Sequence, residues 1–394
     1  MRVLHVIPAI ADCYGGPSKV VFDTCKALRD EGVDAEIATT NASEGGNLPM
    51  PASLPTILED VPVYVFERRP EWRYKVSRDL TTWLNQNVGN YDLLHIHALF
   101  SYSTAAAAYC ARRHHVPYIM LPHGMLAPWP IQNKRLRKSI YLKAVEKNNI
   151  SRAAAVHFTT EDELRTSVLT GRANFVLPYI ISLATSVDGT VSSKPDSRPQ
   201  ILYLSRLDPK KGIEILIQAL AILIEDGQEF NFVIAGSGDP SYEKEVKAMV
   251  SANDRLASVT QFVGFVRGPE KAALIQSSDV FVLPSHDENF GIAVAEAMAA
   301  GLAVIVSDKV NIHEDIQKNG AGLVVSPVAE CLGAAILELL RKPELRADIA
   351  RKGRQLVRTR FSPAAITRET LQVYRDVIQN SRKSTSWRTA VSKF

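Results

Sequence analysis

The sequence is short of the residues that mark metal fingers, disulfide scaffolds and membrane spans. Its 394 residues hold four cysteines, Cys13, Cys25, Cys110 and Cys331, and none forms C-x-x-C or stands near histidine at finger spacing. This excludes a disulfide framework and leaves buried, reduced thiols as the expectation. No stretch approaches 18 uninterrupted apolar residues, so no transmembrane helix is expected. The start, "MRVLHVIPAIA", lacks a small-residue cleavage site and reads as a first strand rather than a signal peptide. No D-x-D pair occurs, so the clustered carboxylates that would hold a cation against phosphates are missing. The dinucleotide fingerprint G-x-G-x-x-G is missing as well, which counts against a nicotinamide enzyme. The net charge of +4 is too small to indicate nucleic acid as a partner.

What is present is an alternation of apolar strands and helices, repeated in two halves. A chain of 394 residues is too long for one ordinary core. "RVLHVIP", "VDAEIATT", "YDLLHIHAL", "VPYIMLPHG", "SRAAAVHFTT" and "NFVLPY" read as strands of the first half. The helix "GGPSKVVFDTCKALRDEG" has Ser18 near its start and Gly32 past its end. A Ser-, Thr- and Pro-rich stretch follows, and then five more strands: "ILYLSRLDPKKG", "EFNFVIAGSGDP", "SVTQFVGFV", "SDVFVLPSH" and "GLAVIVSD". Strands apolar on both faces with helices between them imply parallel doubly wound sheets, an α/β fold. Ligands of such sheets sit beyond the carboxyl ends of the strands. There lie Gly15 and Gly16, His97, His123, Arg206, Gly264 and Glu288, and the natural site is a deep cleft faced by both halves.

"HDENFGIAVAEAMAAG", 286–301, carries two glutamates eight positions apart. It reads as a turn and then a helix stopped by Gly301. Free amides at a helix start favour an anion, and Gly291 lets backbone come close to it. Glu288 stands just outside that start and Glu296 about a turn and a half inside. A carboxylate suits a vicinal diol. Diol, diphosphate and polyhydroxy group in a row describe a nucleotide sugar. The competing reading, a solvated Glu296 and a capping Glu288, stands level on this stretch alone. Arg206 and Lys211 in "YLSRLDPKKG" add a fork and a point charge for phosphate oxygens. The Gly-Gly turn of "YGGPS" and the turn "AGSGD" are weaker signals of the same kind.

With these motifs in order, the chain resembles the retaining GT-B glycosyltransferases of glycosyltransferase family 4, the group 1 glycosyltransferases. The resemblance covers roughly residues 1 to 375 and rests on the E-x7-E motif at 288–296, "LYLSRLDPKKG", "YGGPSKVV" and "LPHGM". It implies two Rossmann-like domains: 1–182 for the acceptor and 201–363 for the nucleotide sugar. A linker at 183–200, a helix at 364–380 crossing back to the first domain and a basic tail at 381–394 complete the division. It implies that Glu288 touches the transferred sugar, Glu296 holds the ribose diol, and backbone at Asn289, Phe290, Gly291 and Ile292 meets the diphosphate or sugar. Arg206 and Lys211 would stabilise the departing diphosphate, Gly16 would contact phosphate, His123 would orient the sugar, and Phe265 and Val266 would meet the base. His97 is the acceptor-side candidate. Asn289 stands where many members have a small residue, and "KVNIHED" replaces a glycine-richer loop, so the donor sugar is left open.

The expected activity is retaining hexosyl transfer from a nucleoside diphosphate sugar, UDP-glucose favoured, to a hydroxyl of a glycan or lipid-linked acceptor in polysaccharide biosynthesis. No metal or other cofactor is expected, because the helix start, Arg206 and Lys211 can neutralise the leaving group. Two alternatives stand: a nucleotide-sugar epimerase of the same architecture and a non-catalytic nucleotide-sugar-binding protein. The expected location is the cytoplasm, with the inner face of the membrane as a second station. "NKRLRKSIYLKAVEKNN", 133–149, sets six basic residues and apolar Ile140, Leu142 and Val145 against Glu146. It reads either as a solvated face or as a helix resting on anionic lipid.

Overall fold

The structure, a computed structural model, describes residues 1–11, 15–43, 46–47, 55–69, 76–128, 139–181 and 198–391, with side chains through 383. The chain divides into two compact units, Met1–Ile180 with Pro363–Phe394, and Ile181–Ser362. Most of the expected linker, residues 182–197, lies outside the described residues, as does the basic stretch 129–138.

The first unit is built on β1 (Arg2–Val6), β2 (Asp34–Thr40), β5 (Thr56–Leu58), β6 (Val61–Phe66), β7 (Leu93–His97), β8 (Tyr118–Leu121), β9 (Ala155–Phe158) and β10 (Asn174–Val176). A two-stranded ribbon, β3 (Ala42–Ser43) and β4 (Gly46–Asn47), lies apart from the sheet. The sheet order is β10-β9-β8-β7-β1-β2-β6-β5, parallel except for the edge pair β5–β6. Strand parity sorts its side chains. Leu4, Val6, Leu94, Ile96, Met120, Val156 and Phe158 face helices Arg78–Asn87 and Tyr102–Arg113. Val3, Ile37, Leu93, Ile119 and Ala155 face helix Gly16–Asp30 and the C-terminal helix Pro363–Val391, which contributes Leu371, Tyr374, Val377 and Ile378. The sequence pattern misses β5 and β6. The stretch 381–391, expected as tail, continues that helix.

The second unit carries β11 (Gln200–Leu204), β12 (Asn231–Ala235), β13 (Thr260–Gly264), β14 (Val280–Leu283), β15 (Ala303–Ser307) and β16 (Leu323–Val325). Their order is β13-β12-β11-β14-β15-β16, all parallel. The pattern misses the short β16, and "SVTQFVGFV" divides between the end of helix Asp254–Val259 and β13. Strand order reverses between β11 and β14, so the loops after these two parallel strands open side by side at the switch point.

Cys25 and Cys110 are buried, but Cys331 is exposed on helix Ala329–Arg341, against the expectation that all four thiols are buried. No helix among the described residues is long and apolar enough to cross a membrane.

Candidate active site

The switch point of the second unit gathers the charged residues. After β11 the chain makes a short turn of helix, Pro209–Lys211, capped by the Asp208 side chain accepting from Lys210 N at 2.9 Å. Gly212 then takes φ 66°, where a Cβ would lie 2.2 Å from the Pro284 carbonyl. The loop after β11 is thereby pressed against the loop after β14, and His286 N donates to Lys210 O at 2.8 Å. The glycines of "AGSGD" serve the same loop. A Cβ on Gly236 would meet Ser205 O at 1.8 Å, and one on Gly238 would meet Leu207 O at 1.9 Å. They permit close approach of backbone to the 205–207 turn rather than forming a phosphate loop of their own.

Glu288 is held at both ends. Its N donates to Lys309 O at 3.0 Å and its carbonyl accepts from Asn311 N at 2.9 Å, while its carboxylate takes the Lys211 ammonium. Lys211 is buried, and Lys210 pairs with Asp287 at 2.5 Å beside it. Burial alone would push the Glu288 carboxyl up. The Lys211 ammonium, as charge and as donor, with Lys210 and Arg206 behind it, outweighs burial and holds the carboxyl below its usual range. Arg206 itself is exposed.

Gly291 caps helix Ile292–Ala300 at φ 82°, and Gly301 stops it at φ 88°. A Cβ at Gly291 would sit 3.1 Å from both Val294 and Val310. Phe290 is buried edge-on against Phe361, centroids 5.4 Å apart, which fixes the turn that leads into the helix. Asn289 and Ile292 are half-buried at that start. Glu296 lies within the helix, not solvated but paired with Lys271 of helix Gly268–Gln276 at 2.5 Å. Phe265 is exposed and Val266 half-buried in the turn after β13 that leads into the same Lys271 helix. Lys271 is a residue that sequence reading misses, because its partner lies on another helix.

Gly15, Gly16, His97 and His123 belong to the first unit. Gly15 caps helix Gly16–Asp30 at φ 72° with open space where a Cβ would project. His97 does not line an open surface: it is buried, with Nε2 2.9 Å from His5 Nδ1 and Nδ1 3.2 Å from His123 Nε2. His123 Nδ1 lies 2.5 Å from the Tyr179 hydroxyl, so both of its ring nitrogens are engaged. Two glutamates outside the expected site residues pin the loops here. Glu146 accepts from Phe100 N at 2.7 Å, and Glu163 accepts from Gly124 N at 2.6 Å and from Thr159 N and Oγ1 at 2.7 Å each. These loops hold left-handed residues, Ala98, Phe100 and His123, at φ 70°, 55° and 54°. Glu146, read from the sequence as the lone acid on a basic surface helix, is fully buried. Burial raises its carboxyl above the usual range against the pull of Phe100 N and Asn149. The helical turn around it, Leu142–Glu146, is a π-helix. Among the described residues of this unit, the group suited to a metal is His5, His95 and His97.

Residues 15–174 match the family model of the glycosyl transferase 4-like domain, and residues 189–356 that of glycosyl transferases group 1. The chain belongs to the group 1 glycosyltransferases. A phosphatidyl-myo-inositol mannosyltransferase of Mycolicibacterium smegmatis is 26% identical over 387 residues, covering 96% of this chain and 94% of its own. A GDP-mannose:cellobiosyl-diphosphopolyprenol alpha-mannosyltransferase of Komagataeibacter xylinus is 24% identical with the same coverage. Among solved structures, sucrose-phosphate synthase from Thermosynechococcus elongatus aligns with a TM-score of 0.76 at 21% identity, over 96% of this chain and 99% of that one. The Anabaena protein HepE in complex with UDP and glucose aligns with a TM-score of 0.74 at 20% identity, over 95% and 100%. The fold of this glycosyltransferase is GT-B.

Proposed function

We propose that this glycosyltransferase moves a hexosyl unit from a nucleoside diphosphate hexose to a hydroxyl of a glycan or lipid-linked acceptor, with retention at the anomeric carbon and no metal on the diphosphate. The observation that carries this is the Lys211–Glu288 pair beside the Gly291-capped helix start, with Arg206 and Lys210 acting on the same carboxylate. Arg206, Lys211 and the amides at 289–292 receive the diphosphate, Glu288 the hydroxyls of the sugar, Glu296 the ribose diol, and the turn at Phe265 and Val266 the base. As the bond from the anomeric carbon to the phosphate oxygen breaks, the acceptor oxygen bonds to that carbon on the same face. The acceptor proton passes to the leaving phosphate oxygen. Negative charge grows on the diphosphate, where fixed cations and helix amides stabilise it most.

For the first unit, Gly15 and Gly16 offer backbone to phosphate. A sugar hydroxyl reaches His123 by replacing the Tyr179 hydroxyl at Nδ1. His97, being buried, acts on the acceptor side only through His123. The family resemblance favours UDP-glucose, but the two relatives aligned over nearly the whole chain are mannosyltransferases, which supports GDP-mannose as the donor. The protein works in the cytoplasm, where exposed Ile140, Lys143 and Lys147 allow peripheral contact with anionic membrane. Flotation with anionic vesicles at low salt tests that contact, and failure to float removes it.

A thermal-shift panel of GDP-mannose, UDP-glucose and their free nucleotides is the direct test, since stabilisation follows affinity. The expected result is stabilisation by one nucleotide series, lost in Glu296→Ala. No shift by any nucleotide sugar overturns the reading. Proton NMR of the product settles the stereochemistry: a β-linked product from an α-linked donor defeats retention. Conversion of the sugar with no acceptor present turns the reading toward an epimerase.

A further inference from the structure

The first unit carries a histidine cluster of which the proposed transfer uses only His123 and, through it, His97. Strand parity builds it: the rows that place Val3, Leu93, Ile119 and Ala155 in the core also place His5, His95, His97 and His157 on that face, nearer the strand ends. All four are buried. Two hydrogen-bonded rows run through them. Tyr374 OH lies 2.7 Å from His95 Nδ1, His95 Nε2 lies 3.4 Å from His157 Nδ1, and His157 Nε2 lies 2.7 Å from the Leu177 carbonyl. The other row is His5, His97, His123 and Tyr179.

Proton placement follows from chemistry. The Leu177 carbonyl only accepts, so His157 carries its proton on Nε2 and presents a lone pair at Nδ1. The second row ends at His5 Nε2, which is buried and has no hydrogen-bond partner. A buried polar atom without a partner is costly and asks for one. One nitrogen from each of His5, His95 and His97 falls within 4.8 Å of the others. A tetrahedral ion with metal–nitrogen bonds of 2.0–2.1 Å needs nitrogens about 3.4 Å apart, so modest ring rotations close the set. A cavity of about 20 Å³ lined by His95, His97, His157 and Tyr179 adjoins it, room for one water as fourth ligand.

We infer that His5, His95 and His97 form a buried site for a divalent transition ion of the zinc class, bound through imidazole nitrogen with a water completing the tetrahedron. His5 binds through its orphaned Nε2. His95 and His97 bind through Nε2, and their Nδ1 atoms face Tyr374 and His123, the outer partners that fix ligand rings. Two hydrogen bonds are given up, His5–His97 at 2.9 Å and His95–His157 at 3.4 Å. Soft and borderline ions suit imidazole, and magnesium does not. The site acts on structure, not on the diphosphate: it ties β1 and β7 to the C-terminal helix through Tyr374.

The rings are closed to solvent, so the ion loads during folding. The test grows the full chain in medium supplemented with Zn2+ or Co2+, refolds a second batch with each, and measures bound metal after desalting. About one ion per chain is expected, with cobalt giving the visible absorption of a tetrahedral nitrogen site and magnesium giving no retention. His5→Leu, checked for fold by circular dichroism, is expected to hold at least about 10-fold less metal. His114→Gln, on an exposed histidine, is expected to hold as much as the parent. Less than about one-tenth of an ion in both batches of the parent overturns the site. So does an octahedral cobalt spectrum, or full retention in His5→Leu. Should His5→Leu not fold, the cobalt spectrum of the parent decides.

Discussion

The two units share a parallel doubly wound sheet but treat polar side chains in opposite ways. The second keeps charge at its strand ends and answers it with charge: Lys211 with Glu288, Lys210 with Asp287, Lys271 with Glu296. The first takes polarity into its core and keeps its rings uncharged. Burial, and then the neighbouring imidazoles, hold His95 and His97 well below the usual histidine range. Its Glu146 and Glu163 answer backbone amides rather than ammonium groups. A site that must receive a diphosphate needs cations fixed in advance, and ion pairs keep them fixed until the ligand arrives. A unit that shapes loops needs geometry more than charge.

The comparison breaks most sharply at Glu288. Glu288→Gln keeps the shape but leaves Lys211 without its carboxylate, and kcat is expected to fall by about 10² to 10³ with the fold intact. Near-full turnover would mean that the pair is structural. In the first unit the counterpart is Glu163. Glu163→Ala strands Gly124 N and Thr159 N, and a loss of about 3 kcal/mol is expected in denaturant unfolding. Hydrogen exchange should then speed at 122–126 and 159–163, and unchanged exchange there would show that the loops hold without it.

A pH experiment sharpens the same contrast. The Glu288 carboxyl is held below its usual range. Its ionised form, and the stability it brings, is therefore present above the unfolded value and is lost as pH falls through the lower folded value. Lys211→Met removes the main opposing charge and leaves burial, so the acid limb of nucleotide binding should move to higher pH. An unmoved limb assigns it to another group. The smallest effect belongs to Lys271→Met. That pair is partly exposed, and its loss is expected to cost about 1 kcal/mol or less in a melting experiment without nucleotide. A larger loss would place Lys271 among the core supports of the second unit.

Much of the second unit was legible because its signals are local. Gly291 and Gly301 bracket a helix in one stretch of sequence, and the strand before it is an unbroken apolar run. Lys211 after β11 and Glu288 after β14 were each visible as strand-end residues. Their pairing was not, since it depends on β11 and β14 being neighbours. Short strands escaped for a different reason: Leu323–Val325 is too brief to show a period, and Val61–Phe66 carries Pro62 within it.

The histidines mark the limit. "HIH" in β7 shows by alternation alone that His95 and His97 share a face, and Glu146 looked like a surface charge only because its neighbours in sequence are basic. That His5, ninety residues upstream of His95, lies directly opposite it in register is a property of the sheet. The sequence by itself determined the alternating strands and helices, the caps and the strand-end glutamates, because those rest on periodicity and on backbone conformations that few residues adopt. Tertiary structure alone decided which ammonium meets which carboxylate and which imidazoles converge, because those contacts join residues that only strand order and register bring together.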